Sequence, residues 1–332
     1  MKQLLKYTAG ILLFALLFCT LAGCGGGTKT LTGFGLNTLV SLTVYDGDEA
    51  ALSGALQTLG KLERRLSRTV AGSEISAANS AGGAPVTLSE DTAELVRMAL
   101  RGAELSGGKF DITVCPLTAL WDFSAAEPKI PDAADLAAAL SRVGYENIRL
   151  EGSTLTLSGG AEIDLGGIAK GYIADVLAEE LRAAGKERAI VNLGGNIALF
   201  GGKPDGSPFS VGIQKPFAPS GETALTLSLR DGAIATSGTY ERSFTQDGIL
   251  YHHILDPDTG MPADTGLSSV TVIAQRAAEA DLLSTVCFLL GEEGGLSLVE
   301  RLPDTEAVFV RADGSIRLSA GLRDGNAFVS VN

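Results

Sequence analysis

An acidic side chain and a hydroxyl four residues apart interrupt the apolar segment EADLLSTVCFLL. They are Asp281 and Thr285, and on an α-helix this spacing places both side chains on one face. A carboxylate that faces an apolar core needs a cation, a donor or water. Oxygen ligands without a cluster of Cys or His favour magnesium or calcium over zinc. The pair indicates two ligands for one hard cation, and the alternative is that Asp281 only caps or charges the first turn of its helix.

A second segment, EIDLGGIAKGY, has an acid, two glycines and a lysine where a strand is expected to turn into a helix. Asp164 is expected to end the strand, and Gly166 and Gly167 let the backbone approach a ligand closely. Free amides at the helix start and Lys170 in its first turn favour a phosphate. The glycine spacing matches neither a P-loop nor a dinucleotide fingerprint, so a purely structural turn remains the alternative.

Three further segments place polar groups beside predicted strands. NLGGN at 192–196 is small enough to admit a flat ring or a diphosphate, and SGTY at 237–240 offers hydroxyls to an anion. The alternatives are a tight turn and a polar loop. The only two histidines, His252 and His253, are neighbours on a predicted strand, so only one of them can face a given site. That histidine is expected to act as a base or as a hydrogen-bonding wall.

Periodicity and end signals predict the elements that must position these residues. Helices are predicted at 49–66, 89–106, 168–184 and 277–290, with glycines after the last three. Strands are predicted at 38–45, 148–150, 154–157, 161–164, 188–192, 209–213, 223–229, 233–236, 251–255, 268–274, 307–311 and 316–318. Strands outnumber helices and often adjoin one another. This pattern predicts an α+β fold with mixed or antiparallel sheets and packed helices.

The N-terminus has the order of a secretory signal. Lys2 and Lys6 precede the apolar run 11–18, which is short for a membrane span, and Leu-Ala-Gly-Cys at 21–24 resembles a bacterial lipobox. We expect residues 1–23 to be a signal peptide, Cys24 to be lipidated, and residues 24–33 to form a flexible tether. The domain 34–332, two intimately packed lobes, would then face the extracytoplasmic side of a bacterial membrane. An ordinary signal peptide with a chance cysteine is the alternative.

The net charge argues against nucleic-acid binding, and the cysteines predict free thiols. The chain has 26 Lys and Arg against 39 Asp and Glu, and loss of residues 1–23 changes the formal net charge from −13 to about −15. An acidic surface argues against nucleic acid as a partner, because phosphate contacts need clustered basic residues. Cys115 and Cys287 lie in apolar segments. We expect two buried free thiols, with a disulfide in an oxidising compartment as the alternative.

Taken together, the motifs resemble a known family. IDLGGIAKGY, NLGGN, SGTYER with HHILDPDTG, and ADLLSTVCFLLG occur in the order and spacing of the ApbE family, the FAD:protein FMN transferases. KFDITVCPL at 109–117 resembles that family's FD-[IP]-T segment. The resemblance covers essentially the whole mature chain and implies a T-fold-like architecture. It implies transfer of FMN from FAD to a Ser or Thr hydroxyl of an acceptor flavoprotein, with release of AMP. The alternatives are hydrolysis of FAD to FMN and AMP, and flavin binding without turnover.

The resemblance also implies a set of site residues. Mg²⁺ would be held by the Asp281 carboxylate, the Thr285 hydroxyl and the backbone carbonyl of Gly167. His253 and Lys170 would be catalytic, with His253 beside the reacting diphosphate. The implied contacts to FAD are Lys109, Phe110, Asp111, Asp164, Lys170, Asn192, Gly194, Gly195, Ser237, His253 and Leu255.

The chain departs from the family pattern at three places. Leu36-Asn37-Thr38 replaces a frequent Met-Gly-Thr or Phe-Asp-Thr element, and Thr69 stands where an aromatic that stacks on the ligand is frequent. Cys115 stands where glycine is usual. These departures concern the contacts to adenine and flavin and leave the metal site intact.

Overall fold

The computed structural model of the 332-residue chain describes residues 27–219, 221–325 and 329–331. Within these ranges the chain forms an α+β fold around one eight-stranded sheet, with three smaller sheets beside it. Every strand pairing in the described ranges is antiparallel. The predicted fold class is confirmed, in its antiparallel form.

Helices and strands alternate irregularly along the chain. The helices are α1 (Glu49–Leu66), α2 (Glu74–Asn79), α3 (Glu90–Ser106), α4 (Cys115–Trp121), α5 (Ala133–Leu140), α6 (Ala169–Ala183), α7 (Ala277–Val299) and α8 (Ala320–Asp324). The strands are β1 (Lys29–Gly35), β2 (Thr38–Val44), β3 (Val86–Thr87), β4 (Ile148–Glu151), β5 (Thr154–Leu157), β6 (Ala189–Leu193), β7 (Asn196–Phe200), β8 (Phe209–Gln214), β9 (Thr223–Leu229), β10 (Gly232–Gly238), β11 (Ser243–Gln246), β12 (Ile249–His252), β13 (Leu267–Ala274), β14 (Glu306–Arg311), β15 (Ile316–Leu318) and β16 (Val329–Val331).

The large sheet is covered on both faces. Its strand order is β1-β2-β6-β7-β10-β13-β14-β15. Helices α1, α6 and α7 pack on one face, with α3 against α7, and enclose the main hydrophobic core. The small sheet β16-β9-β8 and helix α8 cover the other face, where Leu199, Phe209 and Val308 belong to a second core. A third, smaller cluster surrounds Trp121 and includes side chains of the β11–β12 hairpin.

The first strand lies in a segment that the sequence analysis assigns in part to the tether. Residues 29–33 of the expected tether belong to β1, which pairs with β2 through a two-residue turn. Leu36 and Asn37 in that turn have φ values of 53° and 57°, as a tight hairpin of this kind requires. The strand gives a weak signal because two of its inward positions are Gly33 and Gly35. Residues 1–26, including the predicted signal peptide and Cys24, lie outside the described residues.

Most of the predicted elements are present, and three of them differ from the prediction. Eight elements besides β1 were not predicted: α2, α4, α5, α8, β3, β7, β11 and β16. Residues 161–164, expected as a strand, form none, and the strand expected at 251–255 ends at His252. Helix α7 continues beyond Gly291, where φ is 72° and ψ is 179°. Among the described residues α7 alone is long and apolar enough to cross a membrane, and its packing on β10, β13 and α6 accounts for that apolarity. Cys115 and Cys287 are free and buried, as predicted.

Candidate active site

The crossing of α6 and α7 brings the two main sequence motifs together. A Cβ atom on Gly171 would lie 2.1 Å from the Ala277 carbonyl oxygen and 2.6 Å from the Asp281 Cβ, so only glycine allows this approach. The Gly171 amide donates to Asp281 Oδ2 at 2.8 Å. The carboxylate of α7 is therefore held by the first turn of α6.

The Asp281 carboxylate is buried between polar partners. Its residue is 5% exposed. With the Asn196 amide oriented to satisfy both neighbours, its nitrogen donates to Asp281 Oδ1 at 3.0 Å and its oxygen accepts from Lys170 Nζ at 2.9 Å. Burial raises the pKa of Asp281, and Lys170 and the Gly171 amide oppose that shift. A positive charge in this position would stabilise the ionised carboxylate.

Hydroxyl groups line the next turn of α7. Ser237 Oγ, at the end of β10, lies 2.9 Å from Ser284 Oγ and 2.9 Å from Thr285 Oγ1. Ser284 donates to the Asp281 carbonyl oxygen at 2.9 Å. Thr285, predicted as a metal ligand, and Ser237, predicted as a flavin contact, are thus direct neighbours. The structure joins one carboxylate and several neutral oxygens at one place.

The β6–β7 turn supplies Asn196 to this place. Gly194 and Gly195 have φ values of 64° and 93°, which residues with side chains rarely adopt. Asn192 Oδ1 accepts from the Gly195 amide at 2.9 Å. Gly195 is exposed, and a Cβ there would meet nothing within 4 Å. The backbone of this turn is therefore accessible next to Asn196. A flat ring or a diphosphate, as predicted for this segment, would require such access.

The loop before α6 differs from the prediction in one respect. The amides of Ala169 and Gly171 are not free, because they donate to the Leu165 carbonyl and to Asp281 respectively. Asp164 accepts from the Gly166 amide at 2.9 Å and forms an ion pair with Arg68 Nε at 2.8 Å. The prediction of free amides is therefore wrong at these two positions, and Lys170 remains the candidate phosphate-binding group of this turn.

Residues 109–111 are engaged within the protein. Lys109 Nζ lies 3.0 Å from Asp256 Oδ2 and 2.7 Å from Asp258 Oδ2, and these two partners raise its pKa. Phe110 is buried, and a Cβ on Gly167 would lie 3.2 Å from its ring. The segment thereby supports the loop that carries Gly167.

Two predicted flavin contacts serve the interior of the fold. Asp111 is buried and accepts from both the amide and the hydroxyl of Thr113, so it caps a 3-10 turn. Burial raises the pKa of Asp111, and the bonds from Thr113 oppose that shift. Leu255 is buried in the same hydrophobic cluster as Leu117 and Trp121. Neither side chain is joined to the Asp281 cluster by a described contact.

The two histidines have different surroundings. His252 is buried, its Nε2 lies 3.2 Å from the Ala263 carbonyl oxygen, and its ring stands edge-on to Phe288. The Nδ1 atoms of both histidines have no hydrogen-bond partner among the described residues. Burial and the positive charges of Arg242 and Lys170 lower the pKa of His253 to about 3. The charge of Lys170 thus acts on His253, the predicted site residue, whereas His252 packs against Phe288 in the interior.

Sequence reasoning missed three polar residues near the site. Asn196 joins Lys170 to Asp281, and Arg68 pairs with Asp164. Glu241 is exposed to solvent, although the surrounding protein desolvates its carboxylate in part. Its pKa is raised by burial and lowered by Lys170 and Arg242. Asn196 could have been found from its place in NLGGN, while Arg68 and Glu241 carry no spacing signal of their own.

The comparisons with known proteins agree with one another. The sequence matches the ApbE family over residues 36–309. An FAD:protein FMN transferase of Treponema pallidum (strain Nichols) is 35% identical, with 93% of this chain and 92% of the relative aligned. A protein of the same name from Klebsiella pneumoniae (strain 342) is 36% identical over 86% of this chain and 89% of its own.

Solved structures give the same result. Flavin transferase ApbE from Vibrio cholerae superposes with a TM-score of 0.81 at 30% identity, covering 90% of this chain and 99% of that one. The ApbE protein from Thermotoga maritima has a TM-score of 0.81 at 32% identity, covering 88% and 97%. Sequence match, fold and motif placement thus coincide, and the chain belongs to the ApbE family.

Proposed function

We propose that this protein transfers FMN from FAD to a Ser or Thr hydroxyl of an acceptor flavoprotein and releases AMP. The observation that carries the proposal is the Asp281 carboxylate, buried beside Lys170 and hydroxyl groups at the crossing of α6 and α7. The names of the relatives supply the reaction, since they are FAD:protein FMN transferases. The site supplies the groups that such a reaction needs.

The donor set fits a magnesium ion. Mg²⁺ is commonly held by one or two carboxylates together with substrate phosphates and water. Asp281 provides the one carboxylate, Thr285 a neutral oxygen, and the Gly167 carbonyl is the third expected ligand. No group of three or more Asp, Glu, His or Cys side chains that could hold a metal occurs among the described residues. When bound, the cation would neutralise negative charge on the diphosphate oxygens.

The residues of the chain would bind and orient the other reactants. Lys170 adds positive charge next to the diphosphate, and Asn196 fixes both Lys170 and Asp281. The exposed turn at Gly195 leaves room for the nucleotide. The acceptor hydroxyl oxygen forms a bond to the phosphorus of the FMN half, and the bond from that phosphorus to the bridging oxygen breaks. AMP leaves with the bridging oxygen.

His253 is the proposed acceptor of the hydroxyl proton. Burial lowers the pKa of His253 to about 3, so the ring is neutral at neutral pH and a ring nitrogen has a free lone pair. The negative charge of a bound diphosphate would raise this pKa toward the range in which imidazole is an effective base. The Nδ1 atom has no partner among the described residues that would have to be displaced. A neutral imidazole in this position acts as a base or as a hydrogen-bonding wall, and the two roles are separated by experiment below.

The test of the function is mass spectrometry of an acceptor. The purified protein is incubated with FAD, Mg²⁺ and a candidate acceptor subunit or domain, and the nucleotide products are separated. We expect the acceptor to gain one FMN and the solution to gain one AMP. Free FMN with AMP and an unmodified acceptor would indicate hydrolysis instead. FAD that binds to the protein and remains chemically unchanged would indicate a flavin-binding protein.

We further propose that the protein is exported and anchored to the membrane through lipid on Cys24. The support is the order of charged, apolar and small residues in 1–24. Replacing Cys24 by Ser should abolish labelling by palmitate and release an active domain from the membrane fraction. Equal labelling of both proteins would show that the anchor is elsewhere.

A further inference from the structure

Helix α7 begins without a capping side chain of its own. Arg276 occupies its N-cap position and makes no side-chain capping bond. The first two amides of the helix, at Ala277 and Ala278, donate to Asp175 Oδ1 at 2.7 Å and Oδ2 at 3.0 Å. Asp175 lies on α6, so one helix caps the other. The first amides of a helix need acceptors, and here both come from a single carboxylate.

The cap acts together with the close approach at Gly171. Gly171 and Asp175 lie one turn apart on α6, and they contact Ala277 and Asp281, which lie one turn apart on α7. Gly171 sets how closely the helices approach. The two bonds from Asp175 fix where α7 begins along α6, and α6 carries Lys170 in the same turn as Gly171.

The charge of Asp175 suits this role. A carboxylate at a helix N-terminus interacts favourably with the helix dipole. Arg276 Nε lies 3.6 Å from Asp175 Oδ2, on the solvent side of the contact. Asp281 follows one turn after the capped amides and Thr285 two turns after them. Movement of the first turn of α7 is therefore transmitted to both proposed cation ligands.

We infer that Asp175 is a positioning residue of the cation site, which holds Asp281 and Thr285 in register with Lys170 by capping α7 from α6. The inference rests on the proposed function, since it concerns the cation used there. Without the cap, the first turn of α7 frays, and the side chains of Asp281 and Thr285 adopt several positions instead of one. Cation affinity falls, while the rest of the fold is retained.

The test measures cation binding directly in the protein without FAD. Asp175→Ala and Asp175→Asn are compared with wild type by titration with Mn²⁺ followed by electron paramagnetic resonance and with Mg²⁺ followed by calorimetry. The control is Asp48→Ala, which removes a carboxylate cap from α1, where Asp48 accepts from the Ala51 amide at 3.0 Å. Helix α1 carries no proposed ligand. Thermal unfolding is recorded for every variant.

We expect Asp175→Ala to weaken cation binding about tenfold or more and Asp175→Asn to weaken it less, because the amide oxygen still accepts one bond. Asp48→Ala should keep wild-type affinity within about twofold despite a similar loss of thermal stability. In transfer assays, the Asp175 variants should need more Mg²⁺ and approach the wild-type rate at saturation.

Two results would overturn the inference. One is a folded Asp175→Ala protein with wild-type cation affinity; if that variant does not fold, the same result in Asp175→Asn decides. The other is an equal loss of affinity in Asp48→Ala, which would make the effect one of general stability. Failure of the proposed function is recognised separately, because wild-type protein would then bind the cation and yet transfer no FMN.

Discussion

At the scale of single residues, one buried carboxylate determines the chemistry of the site. Asp281 has the Gly171 amide, Asn196 and, through Asn196, Lys170 as partners. Each carboxylate oxygen therefore accepts one hydrogen bond from these partners and keeps a second lone pair for a cation or another donor. Burial of an isolated charge would cost free energy. The partners of Asp281 offset this cost, and its remaining lone pairs indicate a role in binding.

Asp281→Asn should abolish cation binding and lower the rate of FMN transfer by about 10³-fold or more, since charge neutralisation by a metal supplies several kcal/mol. Thr285→Ala should cost about tenfold, because it removes one neutral oxygen. Single-turnover transfer across a Mg²⁺ titration measures both. Glu293→Gln, an exposed carboxylate on the same helix, is the control and should behave as wild type. Normal turnover of Asp281→Asn at low Mg²⁺ would contradict the assignment.

His253→Ala separates a base from a wall. If His253 takes the hydroxyl proton, FAD affinity should be nearly unchanged while transfer at saturating FAD falls by about 10²- to 10⁴-fold. If it only lines the pocket, FAD affinity should fall and turnover at saturation should be kept. Flavin fluorescence and single-turnover rates on the same preparation decide. His252→Ala should lower the stability of the protein and leave the rate of the chemical step unchanged. If His252→Ala is inactive and His253→Ala is normal, His252 is the base and His253 is not.

The histidines also predict a pH dependence of stability. Burial lowers the pKa of both, that of His253 to about 3, so the folded protein keeps them neutral. Their contribution is complete above the unfolded value of about 6.5 and is lost as pH falls toward 3. Urea unfolding at pH 7.5 and 5 should show wild type losing roughly 1 to 2 kcal/mol more than His253→Gln. Equal losses would indicate that His253 is hydrated in the folded protein.

Sequence alone could identify part of this site and not the rest. Asp281 and Thr285 give a local signal because one helix carries both at a spacing of four. Asn196, Arg68 and Glu241 come from different elements, and each becomes a neighbour of the motif residues only through the fold. Leu255 shows the opposite case, since the side chain of this motif position lies in the core around Trp121.

At the scale of elements, strongly amphipathic segments were predictable. The bounds of α1 agree with the prediction because its buried residues recur at helical spacing: Leu52, Ala55, Leu59, Leu62 and Leu66. Strand β1 was missed because glycine at inward positions removes the alternating pattern. The break at Gly291 was interpreted as the end of α7, although the helix resumes after this one residue, whose φ is positive. A glycine stop signal does not say whether a helix begins again.

The close contact of α6 and α7 predicts the effect of a single methyl group. Gly171→Ala would place its Cβ 2.1 Å from the Ala277 carbonyl oxygen, so the helices must separate. We expect a loss of about 1 to 3 kcal/mol in the free energy of unfolding and weaker cation binding. Urea unfolding and Mg²⁺ titration measure these two effects.

Gly60→Ala is the matched control for that change. Gly60 lies within α1, and the nearest atom to an added Cβ is Arg64 Nη1 at 3.5 Å. Alanine there should be neutral or stabilise the protein by up to about 1 kcal/mol. A Gly171→Ala protein as stable as the control would show that the helix crossing is more adaptable than its geometry suggests.

At the scale of the whole molecule, residues from all parts of the chain share the main core. Leu42, Leu95, Leu177, Val272 and Phe288 belong to one cluster. The fold class was predictable from the number and adjacency of strands. The pairing of β2 with β6 was not, because strands more than 140 residues apart carry no local sign of their partner.

The strands of the large sheet stand in the same order across the sheet as along the chain. Where the chain leaves the large sheet, as it does to form β8 and β9, the next strand of the sheet pairs with the strand before the departure. A chain that emerges from its N-terminus during synthesis can therefore add each strand to the growing edge without threading beneath earlier ones. Helix α7 comes after β13, so Asp281 and Thr285 follow all five strand pairings that join β1 to β13, of the seven in the sheet. A chain that appears from its N-terminus, during synthesis or export, can thus form most of its scaffold before it has the cation ligands, and the proposed activity requires nearly the whole polypeptide.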